Sequence, residues 1–179
     1  MIQLVFAHCG TAFGSHDGMP WPRISQDFKN FKARTEGTIL VMGAKTFMSL
    51  PSLLPGRDHI VVCDTSRETL PKCKSGKSAH SYISYGGFEH LLTVNSGSPD
   101  HKFSVIGGVE LLEKAIDYAD VIYETSINMS PSVQPNVEIT ASLPKDFLTK
   151  VDNFGKVMES HWYSIQDGLT ITEWKSVKV

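Results

Sequence analysis

The sequence predicts an α/β fold: a mostly parallel, twisted central sheet with flanking helices, closed by a C-terminal antiparallel β-hairpin. Three observations carry the prediction. Short apolar, β-branched runs alternate with helix-length segments, the order that parallel sheets require. Glycine or proline stands at many of the junctions between them. Lys156 to Ile165 and Leu169 to Trp174, separated by Gln166-Asp-Gly168, read as a closing hairpin.

Taken in order, Met1 to Ala7 is apolar enough for a buried strand. A glycine-rich loop follows from about His8 to Pro22. Ser25 is positioned to cap a helix running to Thr35, which Gly37 stops. Thr38 to Met42 is the next strand, and Gly43 opens a short helix of Ala44 to Leu50. Pro51, Pro55 and Gly56 mark a turn before the strand His59 to Cys63. Ser81 to Ser84 forms a short strand and Gly87 to Val94 a helix, with polar loops over 71–80 and 95–101. Lys102 to Ile106 is a strand running into Gly107-Gly108, followed by a helix of Glu110 to Tyr118. Its Leu111, Leu112, Ala115 and Ile116 share one face. Asp120 to Ile127 is a further strand, and the last forty residues read as strands joined by turns.

The 179 residues are 41% apolar and 20% charged, a balance that supports a buried core within one domain, 1–179. Net charge is −2, so there is no overall attraction to nucleic acid or anionic membranes. The apolar runs are too short to span a bilayer. No leader-like series opens the chain, and the odd, scattered Cys9, Cys63 and Cys73 suit a reducing, cytoplasmic setting.

Ligands of such sheets bind beyond the carboxyl ends of the strands, and three motifs fall there. The first is Gly18-Met-Pro-Trp-Pro22 followed by Asp27, Phe28 and Phe31. Asp27 and Phe31, four apart, share a helix face. A carboxylate among aromatics and half covered by Trp21 has a raised pKa and suits proton handling, or pairing with a cationic heterocycle. The alternative is a first-turn acid stabilising the helix dipole. The second motif is Met42-Gly-Ala-Lys-Thr46, where free backbone N–H groups can hold an anion with help from Lys45 and Thr46. The third is Val105-Ile-Gly-Gly-Val109, where two glycines allow close backbone approach by a ligand. An ordinary turn is the alternative for each of the last two. Gly76-Lys-Ser78 lacks the earlier glycine of a phosphate loop, and no histidine or cysteine spacing suggests a metal.

In combination, Gly18-Met-Pro-Trp21, Asp27 to Lys32, Val41 to Phe47, Leu54-Pro-Gly-Arg57 and Val105 to Gly108 resemble dihydrofolate reductase. The likeness covers residues 1–63 and 102–127; elsewhere it is one of layout, with long loops similar to the T-even phage type. It implies NADPH-dependent reduction of 7,8-dihydrofolate to tetrahydrofolate, by hydride transfer to pterin C6 and protonation at N5. It implies that Asp27 pairs with the pterin and favours that protonation, with Trp21 and Thr125 holding a fixed water beside it. It implies that Val5, Ala7, Phe28, Phe31, Leu50 and Leu54 wall the pterin and benzoyl rings. Arg57 would grip the glutamate α-carboxylate with its guanidinium fork.

For the cofactor, the likeness implies contacts from Ala7, Met19, Gly43, Lys45, Thr46, Cys63, Asp64, Ile106, Gly107, Gly108 and Val109, with an unusual peptide bond between the two glycines. Ala44 stands where many members carry arginine, and Glu110 where a base is frequent. Asp64 could favour a ribose hydroxyl over a 2′-phosphate, so NADH stays open beside NADPH. Two further readings also stay open. One is a reductase of another pterin-like or flavin-precursor substrate. The other is a folate- or nucleotide-binding assembly protein, monomeric or dimeric, using the 71–80 and 95–101 loops on a partner.

Overall fold

The computed structural model of the chain describes residues 1–16 and 18–179. An eight-stranded sheet carries the fold. In chain order its strands are β1 (Ile2–His8), β3 (Ile39–Gly43), β4 (His59–Val62), β5 (Ser81–Ile83), β6 (Phe103–Gly107), β7 (Val121–Met129), β9 (Lys156–Gln166) and β10 (Leu169–Val177). Across the sheet the order is β5-β4-β3-β6-β1-β7-β10-β9. A separate ribbon pairs β2 (Ala12–Ser15) with β8 (Ile139–Ser142). The helices are α1 (Ser25–Thr35), α2 (Ala44–Ser49), α3 (Tyr85–Asn95), α4 (Val109–Ala115) and α5 (Lys145–Asp152). The chain divides into two compact units, one of Met1–Leu4 with Thr35–Asp120 and one of Val5–Arg34 with Val121–Val179.

The first unit holds the parallel strands. β6 pairs in parallel with β1 and β3, β3 with β4, and β4 with β5. Leu40, Val41, Met42, Phe103 and Val105 are buried in unbroken runs, as expected where helices cover both faces. Three of the buried polar groups satisfy one another: Gln3 Nε2 donates to Ser104 Oγ at 2.7 Å, and the Thr38 and Ser104 hydroxyls lie 2.6 Å apart.

The second unit is antiparallel: β10 pairs with β7 on one side and β9 on the other. Strand alternation gives its sheet two chemically different faces. Odd-numbered Ile127, Leu169 and Ile171 pack with Trp21 and Ile24 from the segment leading into α1, and Ala7 lies against that cluster. On the even-numbered face Phe6 packs on Phe147 of α5, with ring centroids 5.5 Å apart.

The expected strands and helices form, with changed ends and two additions. Ser25 lies inside α1 rather than capping it. α3 starts earlier, because the Ser84 hydroxyl accepts the Gly87 N–H and caps it. α4 tightens after Ala115 into a 3₁₀ turn. The expected 8–22 loop contains β2, which takes its pairing from β8 far along the chain. The C-terminal region is not strands alone. Pro144 precedes α5, which buries Phe147 and Val151 four residues apart on one face.

Candidate functional site

α1 places Asp27 in its first turn. The side chain is half-buried, and its pKa is raised to about 6. Burial is the largest cause; the negative charge of Glu173 adds to it, and a hydrogen bond from Thr125 opposes it. A dipole-stabilising acid in water would shift the other way. Thr125 is buried in the interior of β7. Its partner across the ladder is Glu173 on β10, buried at 3% exposure. Arg34, two turns along α1 from Asp27, donates Nε and Nη2 to one Glu173 oxygen, at 3.2 and 2.7 Å.

Glu173 was not among the expected site residues. Its signal was available in Leu169, Ile171, Glu173: a charge standing at the third inward position of an alternating strand.

In this same unit, Trp21 is buried in the cluster described above, and its indole N–H has no partner among the described residues. Val5 is buried, and Ala7 and Phe31 are half-buried. Phe28 is 37% exposed, with the Arg23 guanidinium 4.3 Å from its ring centroid, which supports an outer rather than an enclosed position. Met19 is exposed, beside Gly18 with φ +130°. The opposite, even-numbered face carries a cavity of about 320 Å³ lined by His8, Glu124, Asp152 and Trp174. None of the expected residues lines it.

In the first unit, the ends of β3 and β6 bring Gly43, Thr46, Gly107 and Gly108 together. A Cβ on Gly43 would stand 3.6 Å from the Gly108 nitrogen, and one on Gly108 would stand 4.0 Å from Thr46 Oγ1. Side chains would fill this cradle, and glycine keeps it open. Gly43 caps α2 and Gly108 caps α4, neither through a side chain, so first-turn N–H groups stay available to an anion. The Gly107–Gly108 peptide is cis. Lys45 is exposed, while Ile106 and Val109 are half-buried.

Leu50 and Leu54 are also half-buried. Arg57 is buried and oriented by its own neighbours: Nε donates to the Pro55 carbonyl and Nη1 to Thr35 Oγ1 at 2.8 Å. Burial holds its pKa below the usual value. Cys63 is buried; Asp64 lies in water, where Ser66 donates to it twice and Arg67 Nε stands 3.6 Å away. Those Ser66 hydrogen bonds keep the Asp64 carboxyl below its usual range.

The family model described as dihydrofolate reductase matches residues 1–163. The chain is 33% identical over 150 residues to the dihydrofolate reductase type A10 of Escherichia coli, covering 79% of this chain and 74% of that protein. It is 33% identical over 129 residues to the dihydrofolate reductase of Bacillus subtilis, covering 72% and 70%. In fold it is similar to a dihydrofolate reductase from Enterococcus faecalis solved in complex with NADP(H) and RAB-propyl. That likeness has a TM-score of 0.72 at 17% identity and covers 100% of this chain and 97% of that one.

Proposed function

The chain belongs to the dihydrofolate reductase family, enzymes that reduce 7,8-dihydrofolate with NADPH, and on that premise we propose that Asp27 is the catalytic carboxylate of that reaction. The observation that carries the reading is a half-buried acid with a pKa of about 6, hydrogen-bonded by a buried threonine. Such a group passes between its protonated and ionised forms near neutral pH. Ionised, it accepts hydrogen bonds from the pterin 2-amino group and ring N3, and so aligns the ring for protonation at N5. Thr125 fixes the carboxylate's rotamer. The unpartnered Trp21 N–H is suited to hold a water beside it. Val5, Ala7 and Phe31 contribute apolar wall, Phe28 its outer edge.

In the first unit, Leu50 and Leu54 take the benzoyl ring. Arg57, already aimed by Thr35 and Pro55, takes the glutamate α-carboxylate. The open glycine cradle fits a dinucleotide pyrophosphate, with Gly43, Lys45, Thr46, Gly107 and Gly108 holding it and Cys63, Ile106 and Val109 completing the contacts. Met19 and Ala7 serve the nicotinamide. NADPH, when bound, supplies the hydride. Arg67 is the cation beside Asp64, and favours NADPH over NADH by offering a 2′-phosphate a partner.

The test is the oxidation of NADPH with dihydrofolate, followed at 340 nm. Asp27→Asn is expected to lose at least 100-fold in kcat at pH 7 while folding normally, and to recover part of it in acid, where the substrate arrives protonated. Turnover by the unaltered chain with an unchanged rate in Asp27→Asn would remove Asp27 from the mechanism. Folate binding without turnover would leave the assembly-protein reading.

A further inference from the structure

We propose that Glu173 is a positioning residue for this reaction: a buried carboxylate, pinned by Arg34 across the ladder from Thr125, whose negative charge acts on Asp27. The inference rests on the reading of Asp27 as the catalytic carboxylate.

Three features of the second unit support it. First, Glu173 is at 3% exposure in line with the buried Leu169 and Ile171, where leucine or isoleucine would pack at no desolvation cost. A buried ion pair gives little net stability over an apolar pair of the same volume, so its presence calls for another use. Second, Glu173 sits directly across the β7–β10 ladder from Thr125, the residue that donates to Asp27. Third, Arg34 reaches Glu173 from the same helix that carries Asp27, two turns on, and both its donations go to a single Glu173 oxygen.

The charges around Glu173 come from four elements. α1 contributes Asp27 and Arg34; β7 contributes Tyr123 and Thr125; β10 contributes Glu173 and Lys175; β9 contributes Glu159 and His161. Lys175 is committed to Glu159 at 2.9 Å. Arg34 is shared between Glu173, Glu159 at 3.9 Å and the face of Tyr123 at 4.9 Å. Glu173 is the charge that acts on Asp27, and it disfavours a second negative charge there.

The measurement is the pH at which kcat falls to half in Glu173→Gln, with the fold checked by circular dichroism. The midpoint is expected to move down by roughly half a pH unit or more, and Glu173→Asp to restore it. A purely structural role would lower activity equally at every pH and leave the midpoint in place; that result in folded Glu173→Gln overturns the proposal. If Glu173→Gln does not fold, the apolar pair Arg34→Met/Glu173→Leu replaces it, with the same downward shift expected and an unmoved midpoint again overturning it. Asp27→Asn separates the two levels. If that variant keeps the wild-type midpoint, the reading of Asp27 fails; if it loses it and Glu173→Gln does not shift it, only this inference fails.

Discussion

Asp27 works against the stability of its own fold. Its pKa is about 6 in the folded chain, against 3.8 in an open one. A raised acid favours folding only while protonated, so stability falls as pH rises from about 4 to about 6 and stays lowered above. Asp27→Asn is therefore expected to stabilise the protein by on the order of 1–3 kcal/mol at pH 7, and by almost nothing below pH 4. Urea denaturation at the two pH values checks this. Arg57→Ala is expected to raise the KM for dihydrofolate at least tenfold while leaving the KM for NADPH within about twofold, since only an anchor on the glutamate end is lost. Steady-state kinetics in each substrate checks that. Both residues could be singled out in the sequence because they stand in motifs whose spacing is short and local. Glu173 was not, because its meaning depends on which strand lies beside β10.

Elements show the same division. β1, β3, β4 and β6 were legible from apolar runs, since strands buried on both faces advertise themselves in composition. α5 was overlooked between strand-like stretches, although Pro144, Phe147 and Val151 carry its start and its buried face. β2 could not have been found: Ala-Phe-Gly-Ser is a strand only by virtue of β8. The β9–β10 hairpin is also held by a position with no local signal. Gly155 lies so close to the end of β10 that an added Cβ would overlap the Val177 carbonyl oxygen and stand 3.0 Å from its carbon. Since backbone cannot swing aside as a side chain can, Gly155→Ala is expected to destabilise by about 2 kcal/mol or more, read as a lower urea midpoint with unchanged slope.

At the scale of the whole chain, two of the three unit boundaries pass through β1 after Leu4 and through α1 after Arg34, and the third falls between Asp120 and the start of β7. Inside continuous elements there is no linker composition to find, and the sequence accordingly suggested one undivided domain. Global stability should nonetheless report on His8. Its ring nitrogens both face acceptors, the Gly10 carbonyl and Glu124 Oε1, each at 2.7 Å. Burial alone would lower its pKa, but the Glu124 and Gly10 hydrogen bonds and the charges of Glu124 and Asp152 together raise it. The folded state thus prefers imidazolium. Its stabilisation is complete below the unfolded pKa of 6.5 and is lost as pH rises through the higher folded value. His8→Gln is expected to flatten stability between pH 6 and 8, measured as the urea midpoint at each pH.

The three tryptophans occupy unlike surroundings: Trp21 is buried, Trp174 half-buried, and Trp162 is 65% exposed on β9. Intrinsic emission should consequently resolve into a blue component shielded from acrylamide and a red component readily quenched by it. With Trp162→Phe the red component goes, and the remaining light comes from Trp21, in the segment leading into α1, and from Trp174. The chain then carries its own optical gauge of ligand arrival, with no dye attached.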